Sequence, residues 1–388
     1  MRRALLLLLL AGCATAPKPA PLTAAIDGII ATPPHALWGV LIEDEQGRAL
    51  YAHNADKLLI TASNRKLFAA ATAASCLGFD ARLPTELWLD GEDVVLRGGG
   101  DPSLGSDRHA RDFAFAPLVE ALAARGVTSV RDVIADVSLY DRITIPGAWK
   151  HGNLGSNYAA PVDALAWREN AIGEDAVTDP PLFAATALRD ALLFRGIAVS
   201  GAPRVNVEPR AWQERVAVIE SPFLYQLMTT MLKNSHNLYA EMLLKDAGGG
   251  AYAEAFAREQ RLIRDEAGIA ADETHFVDGS GLAPDDLATP QAIVRMLRWM
   301  NAPARRNVWW SLLATPGESG TLRRRLPGLE ARVRAKTGTV FGVNALSGII
   351  RGERGGYRYF SVIINHNAAD ADEAVRQIDA IVQEAAKF

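Results

Sequence analysis

Ser63 and Lys66 stand three residues apart in Thr61-Ala62-Ser63-Asn64-Arg65-Lys66, directly ahead of the apolar run Leu67-Phe68-Ala69-Ala70-Ala71. On a helix, residues i and i+3 share a face, so the lysine amine would lie beside the serine hydroxyl. That is a nucleophile with a candidate base. A helix starting here also places Ser63 at its N-terminus, where free backbone N–H groups and the positive end of the dipole favour developing negative charge. Alone the pair is a weak signal, because short motifs arise by chance.

Order along the chain strengthens it. One Ser-x-x-Lys (Ser63 to Lys66), one Ser-x-Asn (Ser235 to Asn237) and one Lys-Thr-Gly (Lys336 to Gly338) follow in that sequence. This trio resembles the penicillin-recognising serine enzymes. Further segments carry the likeness: Leu96-Arg97-Gly98-Gly99-Gly100-Asp101-Pro102-Ser103-Leu104, Asn237-Leu238-Tyr239-Ala240-Glu241, Asp278-Gly279-Ser280-Gly281-Leu282, Gly320-Thr321-Leu322 and Ala335-Lys336-Thr337-Gly338-Thr339. Together they resemble the D-alanyl-D-alanine carboxypeptidase/endopeptidase family typified by penicillin-binding protein 4, peptidase family S13.

The resemblance implies a serine DD-peptidase that cleaves peptidoglycan stem peptides through an acyl-Ser63 intermediate and is inhibited covalently by β-lactams. Ser63 needs an adjacent base, and Lys66 serves only when neutral, so its ordinary pKa of about 10.4 must fall through burial and a neighbouring cation, for which Lys336 is the candidate. Ser235 would relay a proton to the leaving amine, and Asn237 would hold Lys66 and the substrate amide. Gly338, lacking a side chain, would let substrate lie along its strand, with Lys336, Thr337 and Thr339 on the terminal carboxylate. The family pattern assigns the oxyanion hole to the backbone N–H groups of Ser63 and Thr339, where one donor is worth about 100- to 1000-fold in rate.

Three features depart from that pattern: Thr61 where proline is common, Asn64-Arg65 inside Ser-x-x-Lys, and His236 in the middle of Ser-x-Asn. Arg65 should point away from Lys66, and His236 is either a silent spacer or a source of pH dependence near neutrality. The interval from Trp167 to Asp179 is also short where relatives carry an inserted domain. Other chemistry is disfavoured. Asp278-Gly279-Ser280-Gly281 lacks Gly-x-Ser-x-Gly spacing and reads as a turn, and no Lys-Ser/Thr follows Arg97-Gly98-Gly99-Gly100 as a phosphate cradle would require. The seven histidines show no His-x-His or His-Glu-x-x-His spacing, so neither metal nor cofactor is expected.

The elements that must position these residues follow from patterning. Composition is that of a globular chain, 49% hydrophobic and 22% charged over 388 residues, with net charge −4 and no indication of nucleic-acid binding. Met1-Arg2-Arg3, an apolar run and Leu10-Ala11-Gly12-Cys13 read as an export signal (residues 1–12) of lipoprotein type, with Cys13 lipidated and facing the periplasm. Residues 13–24 are then a tether. Only Cys76 remains to the mature chain, a candidate buried hydrophobe. A hairpin at 37–50, strands at 332–339, 343–351 and 357–365, and an amphipathic C-terminal helix predict one antiparallel sheet assembled from both chain ends and flanked by helices. The fold class expected is α/β (α+β), β-lactamase/transpeptidase-like. Its catalytic domain comprises residues 25–80 and 210–388, with an inserted α/β domain at 81–209. Ser221-Pro222 is the predicted start of the helix before Ser235. Two other functions fit parts of this pattern: a β-lactamase-like hydrolase, and a degenerate peptidoglycan-binding scaffold lipoprotein.

Overall fold

The computed structural model describes residues 21–387 apart from 112, 354 and 368–370; Cys13 and the predicted export signal lie outside the described residues. Helix α1 (Pro21–Ile30) takes up the end of the expected tether. Strands β1 (Leu37–Asp44) and β2 (Ala49–His53) form the predicted hairpin, its turn tied by the Asp44 carboxylate accepting from the Gln46 and Arg48 N–H groups. After the short β3 (Leu59–Ile60) comes a 3-10 turn (Ala62–Arg65), and then α2 (Lys66–Leu77).

The middle of the chain builds a separate sheet. It contains β4 (Pro84–Asp90), β5 (Asp93–Arg97), α3 (Ala116–Ala124), β6 (Ser129–Val130), β7 (Val133–Asp136), the small hairpin β8 (Ala171–Ile172) and β9 (Asp175–Ala176), α4 (Pro180–Arg195), β10 (Ala198–Val199), β11 (Pro203–Asn206) and β12 (Glu214–Glu220). Strand order is β11-β7-β5-β4-β12, with β5, β7 and β11 parallel and β4 antiparallel to both its neighbours. Leu118, Leu122, Leu188 and Leu192 of α3 and α4 pack with Val94, Leu96 and Val133 into its own core. This sheet ends at Glu220, beyond the boundary expected at residue 209. Its last strand, β12, is an edge strand in which Val216 is the one buried residue.

The chain then returns to the first unit through α5 (Leu224–Lys233), α6 (Asn237–Ala247), α7 (Tyr252–Arg261), β13 (Thr274–His275), β14 (Leu287–Ala288), α8 (Pro290–Met300), α9 (Arg306–Leu312), β15 (Val333–Val340), β16 (Val343–Arg351), β17 (Tyr357–Asn365) and α10 (Ala371–Ala386). Its sheet, β15-β16-β17-β1-β2, is antiparallel throughout and joins the chain ends through β1 and β17, in register from Leu37 opposite Asn365 to Asp44 opposite Arg358. Period-two alternation explains the layers. Phe360, Val362 and Ile364 face α1 and α10, whereas Tyr359 and Ile363 face the helices led by α2 and α8. Both faces of β16 and β17 are therefore covered, and these strands are mostly apolar, with Ser347 and Ser361 hydrogen-bonded to each other inside the sheet.

Two local expectations are corrected. Ser221 does not cap α5: its hydroxyl accepts from Leu83 N–H and donates to the Pro222 carbonyl, and the helix begins at Leu224. Cys76 is exposed, because the last turn of α2 emerges from the core.

The α10 stripe carries one face of the sheet, and Ile378 at its centre is buried. Ile378→Ala should destabilise the protein by about 2–5 kcal/mol through a cavity under the helix, measurable by urea unfolding.

Candidate active site

Ser63 lies in the 3-10 turn and not in the α-helix proper, a refinement of the predicted start. The difference helps the pair, because in a three-residue turn side chains at i and i+3 eclipse. The Lys66 Nζ stands 2.9 Å from the Ser63 Oγ. Asn64, the residue after the serine, turns inward and donates to Ser347 Oγ on β16, which fastens the turn to the sheet.

Lys66 is fully buried, and two further acceptors meet its amine: Asn237 Oδ1 at 2.6 Å and the Ser280 carbonyl at 2.6 Å. Asn237 is fixed in that orientation because its Nδ2 donates to the Tyr158 carbonyl. Neither carbonyl-type oxygen can donate a hydrogen. A neutral amine therefore spends its two N–H groups on Asn237 and Ser280 and leaves its lone pair facing the Ser63 hydroxyl. Protonated, the same amine donates to all three and has no base to offer.

The environment sets that balance. Burial pushes Lys66 down to about 7, against the pull of Asp278, Glu241 and Asp286, and the Arg65 guanidinium pushes the same way as burial. Burial also holds the acids back: Asp286 is raised well above the usual carboxylate range and Glu241 to about 7. Asp278 stays low despite its burial, because the Asp286 carboxyl and the N–H groups of Gly281 and Ala283 bond to it. The cation expected to lower Lys66 was Lys336. Lys336 is itself driven well down, first by burial and then by Lys66, and it is not among the charges that lower Lys66. The cation that counts is Arg65.

Arg65 does point away from the serine. It is fully buried, forked onto Glu259 of α7 at 2.7 and 2.8 Å, and lies 4.1 Å from the Phe276 ring centroid. Its Nε donates to the Asp278 carbonyl. The Asp278-Gly279-Ser280-Gly281 turn is thereby held from both ends, since Glu241 accepts from the Gly279 and Ser280 N–H groups at 2.8 Å each. Gly281 has φ +76° and an added Cβ would lie 1.9 Å from the Ala62 carbonyl, so only glycine lets this turn reach the serine segment.

On the opposite side, β15 is the edge strand of the main sheet. Ala335 exchanges both backbone bonds with Ala314, so alternation also directs the N–H and C=O of Thr337 and Thr339 away from β16. Lys336 Nζ donates to Ser235 Oγ at 2.8 Å and to the Thr337 carbonyl at 2.7 Å, while the Thr337 hydroxyl donates to Thr321 Oγ1 at 2.8 Å. Thr339 is exposed. Gly338 serves a different neighbour from the one expected: an added Cβ would stand 2.9 Å from the Thr61 carbonyl and 3.2 Å from the Ser63 nitrogen. Its bareness admits the serine turn. A cavity of about 660 Å³ opens beside Ser235 and Asn237, lined also by Ser106, Arg108, Tyr158 and Glu169.

Four contributors escaped the sequence reading as site residues: Tyr158, Glu241, Ser280 and Thr321. Glu241 had a signal, an acid one turn after Asn237 in the segment Asn237-Leu238-Tyr239-Ala240-Glu241; Tyr158 and Ser280 act through backbone oxygens that carry no side-chain signature. Among the described residues, no cluster of histidine, cysteine and carboxylate side chains could hold a metal ion.

Comparison with known proteins agrees with this geometry. The D-Ala-D-Ala carboxypeptidase 3 (S13) family model matches residues 22–175 and 174–386. A D-alanyl-D-alanine carboxypeptidase of Actinomadura sp. (strain R39) is 27% identical over 463 residues, covering 94% of this chain and 84% of the relative. In structure, penicillin-binding protein 4 of Haemophilus influenzae superposes with a TM-score of 0.84 at 18% identity, covering 95% of this chain and all of that one. A predatory peptidoglycan endopeptidase of Bdellovibrio bacteriovorus gives 0.61 at 17% identity over 91% of this chain and 93% of its own. The two structural likenesses concern the fold. With the family match running the length of the described chain, the protein belongs to the S13 family.

The buried Arg65–Glu259 pair is testable apart from chemistry. Arg65→Ala should cost about 3–5 kcal/mol in urea unfolding, because it strands the Glu259 carboxylate, whereas the joint change Arg65→Met, Glu259→Met should recover most of that loss.

Proposed function

We propose that this S13 protein is a serine DD-peptidase in which Ser63 is the acyl acceptor, Lys66 its base, and the edge of β15 the seat of the stem peptide. The observation that carries the reading is the amine of Lys66, buried, lowered to about 7 and left with one open direction, toward Ser63 Oγ. Lys66 takes the hydroxyl proton as Oγ attacks the carbonyl carbon of the penultimate D-alanine. The oxyanion lies between the N–H groups of Ser63 and Thr339, and the hydroxyls of Thr337 and Thr321 receive the terminal carboxylate.

Collapse breaks the C–N bond. The departing amine takes the proton from Lys66 by way of Ser235, which Lys336 orients. Water then attacks the acyl-Ser63 carbonyl, Lys66 again accepting the proton, and the serine is restored. A β-lactam enters by the same first step, but its amine remains tethered, so the adduct persists. The enzyme acts outside the cytoplasm on D-alanyl bonds of peptidoglycan, terminal or cross-bridging. Leu10-Ala11-Gly12-Cys13 supports a lipid anchor at Cys13, facing the periplasm.

Fluorescent penicillin should label the wild type on Ser63, with no label on folded Ser63→Ala. Mass analysis of muropeptides should show loss of D-alanine from monomers or of cross-linked dimers, abolished by the same change. Absence of an adduct on folded wild-type protein would contradict the proposal, and sustained turnover of a chromogenic cephalosporin would favour a β-lactamase. Cys13→Ala should move the protein from the membrane to the soluble fraction of its envelope.

A further inference from the structure

The connection that carries Ser235 and Asn237 is held from outside by a residue that neither the motifs nor the proposed chemistry use. Ser235 adopts φ +60°, a left-handed conformation that a non-glycine residue keeps only where its surroundings impose it. Its own hydroxyl is bound by Lys336. The next residue, His236, places Nε2 3.1 Å from Glu169 Oε2. An ionised carboxylate only accepts, so this ring nitrogen carries the hydrogen.

Glu169 is built for that contact. It is the middle of three consecutive left-handed residues, Arg168, Glu169 and Asn170, with φ of 50°, 58° and 55°. Trp167, stacked on Phe115 at 4.3 Å, and Asn170, donating to the Pro161 carbonyl, pin the two ends of this strained turn. The carboxylate then receives Ser106 Oγ at 2.7 Å and the Tyr239 hydroxyl at 3.2 Å on one oxygen, and Arg108 Nε and His236 on the other. Although burial opposes it, hydrogen bonds from His236 and Ser106 hold Glu169 down to about 2, so it stays ionised. Tyr239, one turn into α6, also packs edge-on against the His236 ring at 4.7 Å.

Both partners lie where the sequence departs from the family pattern. His236 occupies the variable middle of Ser-x-Asn, and Glu169 lies in the shortened interval, five residues before the point where the family match divides at 174–175. The 463-residue alignment with the Actinomadura relative exceeds the 388 residues of this chain, so that relative carries segments absent here.

We propose that Glu169 is a positioning residue for the acylation step: through His236 and Tyr239 it clamps the Ser235-His236-Asn237 connection, keeping Ser235 on Lys336 and Asn237 on Lys66. It touches no reacting atom. The proposal rests on Ser63 being the acyl acceptor, and the test separates the two.

The limiting rate and half-saturation of acylation by fluorescent penicillin are measured for wild type, Glu169→Gln, His236→Asn and the double variant, each normalised to folded protein by circular dichroism. A wild type that is never acylated defeats the underlying reading. Given an acylated wild type, the clamp predicts that each single change lowers the limiting rate roughly ten- to hundredfold, half-saturation moving less than about twofold, because misplacement of a catalytic group acts on rate more than on binding. It also predicts a double variant no slower than the slower single. Single-variant rates equal to wild type, or effects that multiply in the double, overturn it. Should Glu169→Gln fail to fold, His236→Asn alone decides: an unchanged limiting rate overturns the clamp and a lowered one supports it.

Discussion

An amine with no access to water, surrounded by more acids than it can neutralise, is the constraint around which the first unit is arranged. A lysine in the protein interior tends to lose its proton, while neighbouring carboxylates tend to restore it. Here three carboxylates lie near Lys66, yet two of them are themselves pushed toward the neutral form, and Arg65, paired with Glu259 and close to Asp286, adds a positive charge beside them. With those two pushed toward neutrality their hold on a Lys66 proton is weakened, and burial prevails. Two carbonyl oxygens then fix where the lone pair points, toward Ser63 Oγ, the orientation that the proposed base requires.

Each element around the amine supplies one part of that arrangement. The 3-10 turn eclipses Ser63 and Lys66, α6 brings Asn237 and, one turn later, Glu241, and the Asp278–Gly281 turn presents a carbonyl that Glu241 and Arg65 hold in place. The edge strand β15 closes the other side. Left-handed residues mark these junctions: Ala62 just before the serine, Ser235 before Asn237, and the 168–170 triplet behind His236. Strain of this kind persists where surrounding contacts over-determine the backbone, as they do at each of these points.

Much of this could be read from the chain alone, and the reason is locality. Ser63 and Lys66 are one turn apart, Ser235 and Asn237 share one connection, and the strands that join both chain ends announce themselves by uniform apolar runs. What escaped depends on partners distant in sequence. Arg65 looked like an awkward charge because Glu259 is 194 residues away. Ser221 had the form of a helix cap but bonds to Leu83, 138 residues earlier. Gly338 looked like an opening for substrate, whereas the atoms it makes room for belong to the serine turn. The Ser280 carbonyl could not be anticipated, since every residue has one and only the fold selects which faces the amine.

The central claim is that Lys66 is neutral and acts as the base, and the pH dependence of acylation tests it most directly. Lowering of the folded-state value means that the neutral form prevails above it, so the limiting rate of Ser63 acylation by penicillin should rise with pH and level off with an apparent pKa near 7. A rate that is flat across about pH 5 to 9, or that still climbs with a midpoint near the ordinary lysine value of about 10.4, would contradict the account.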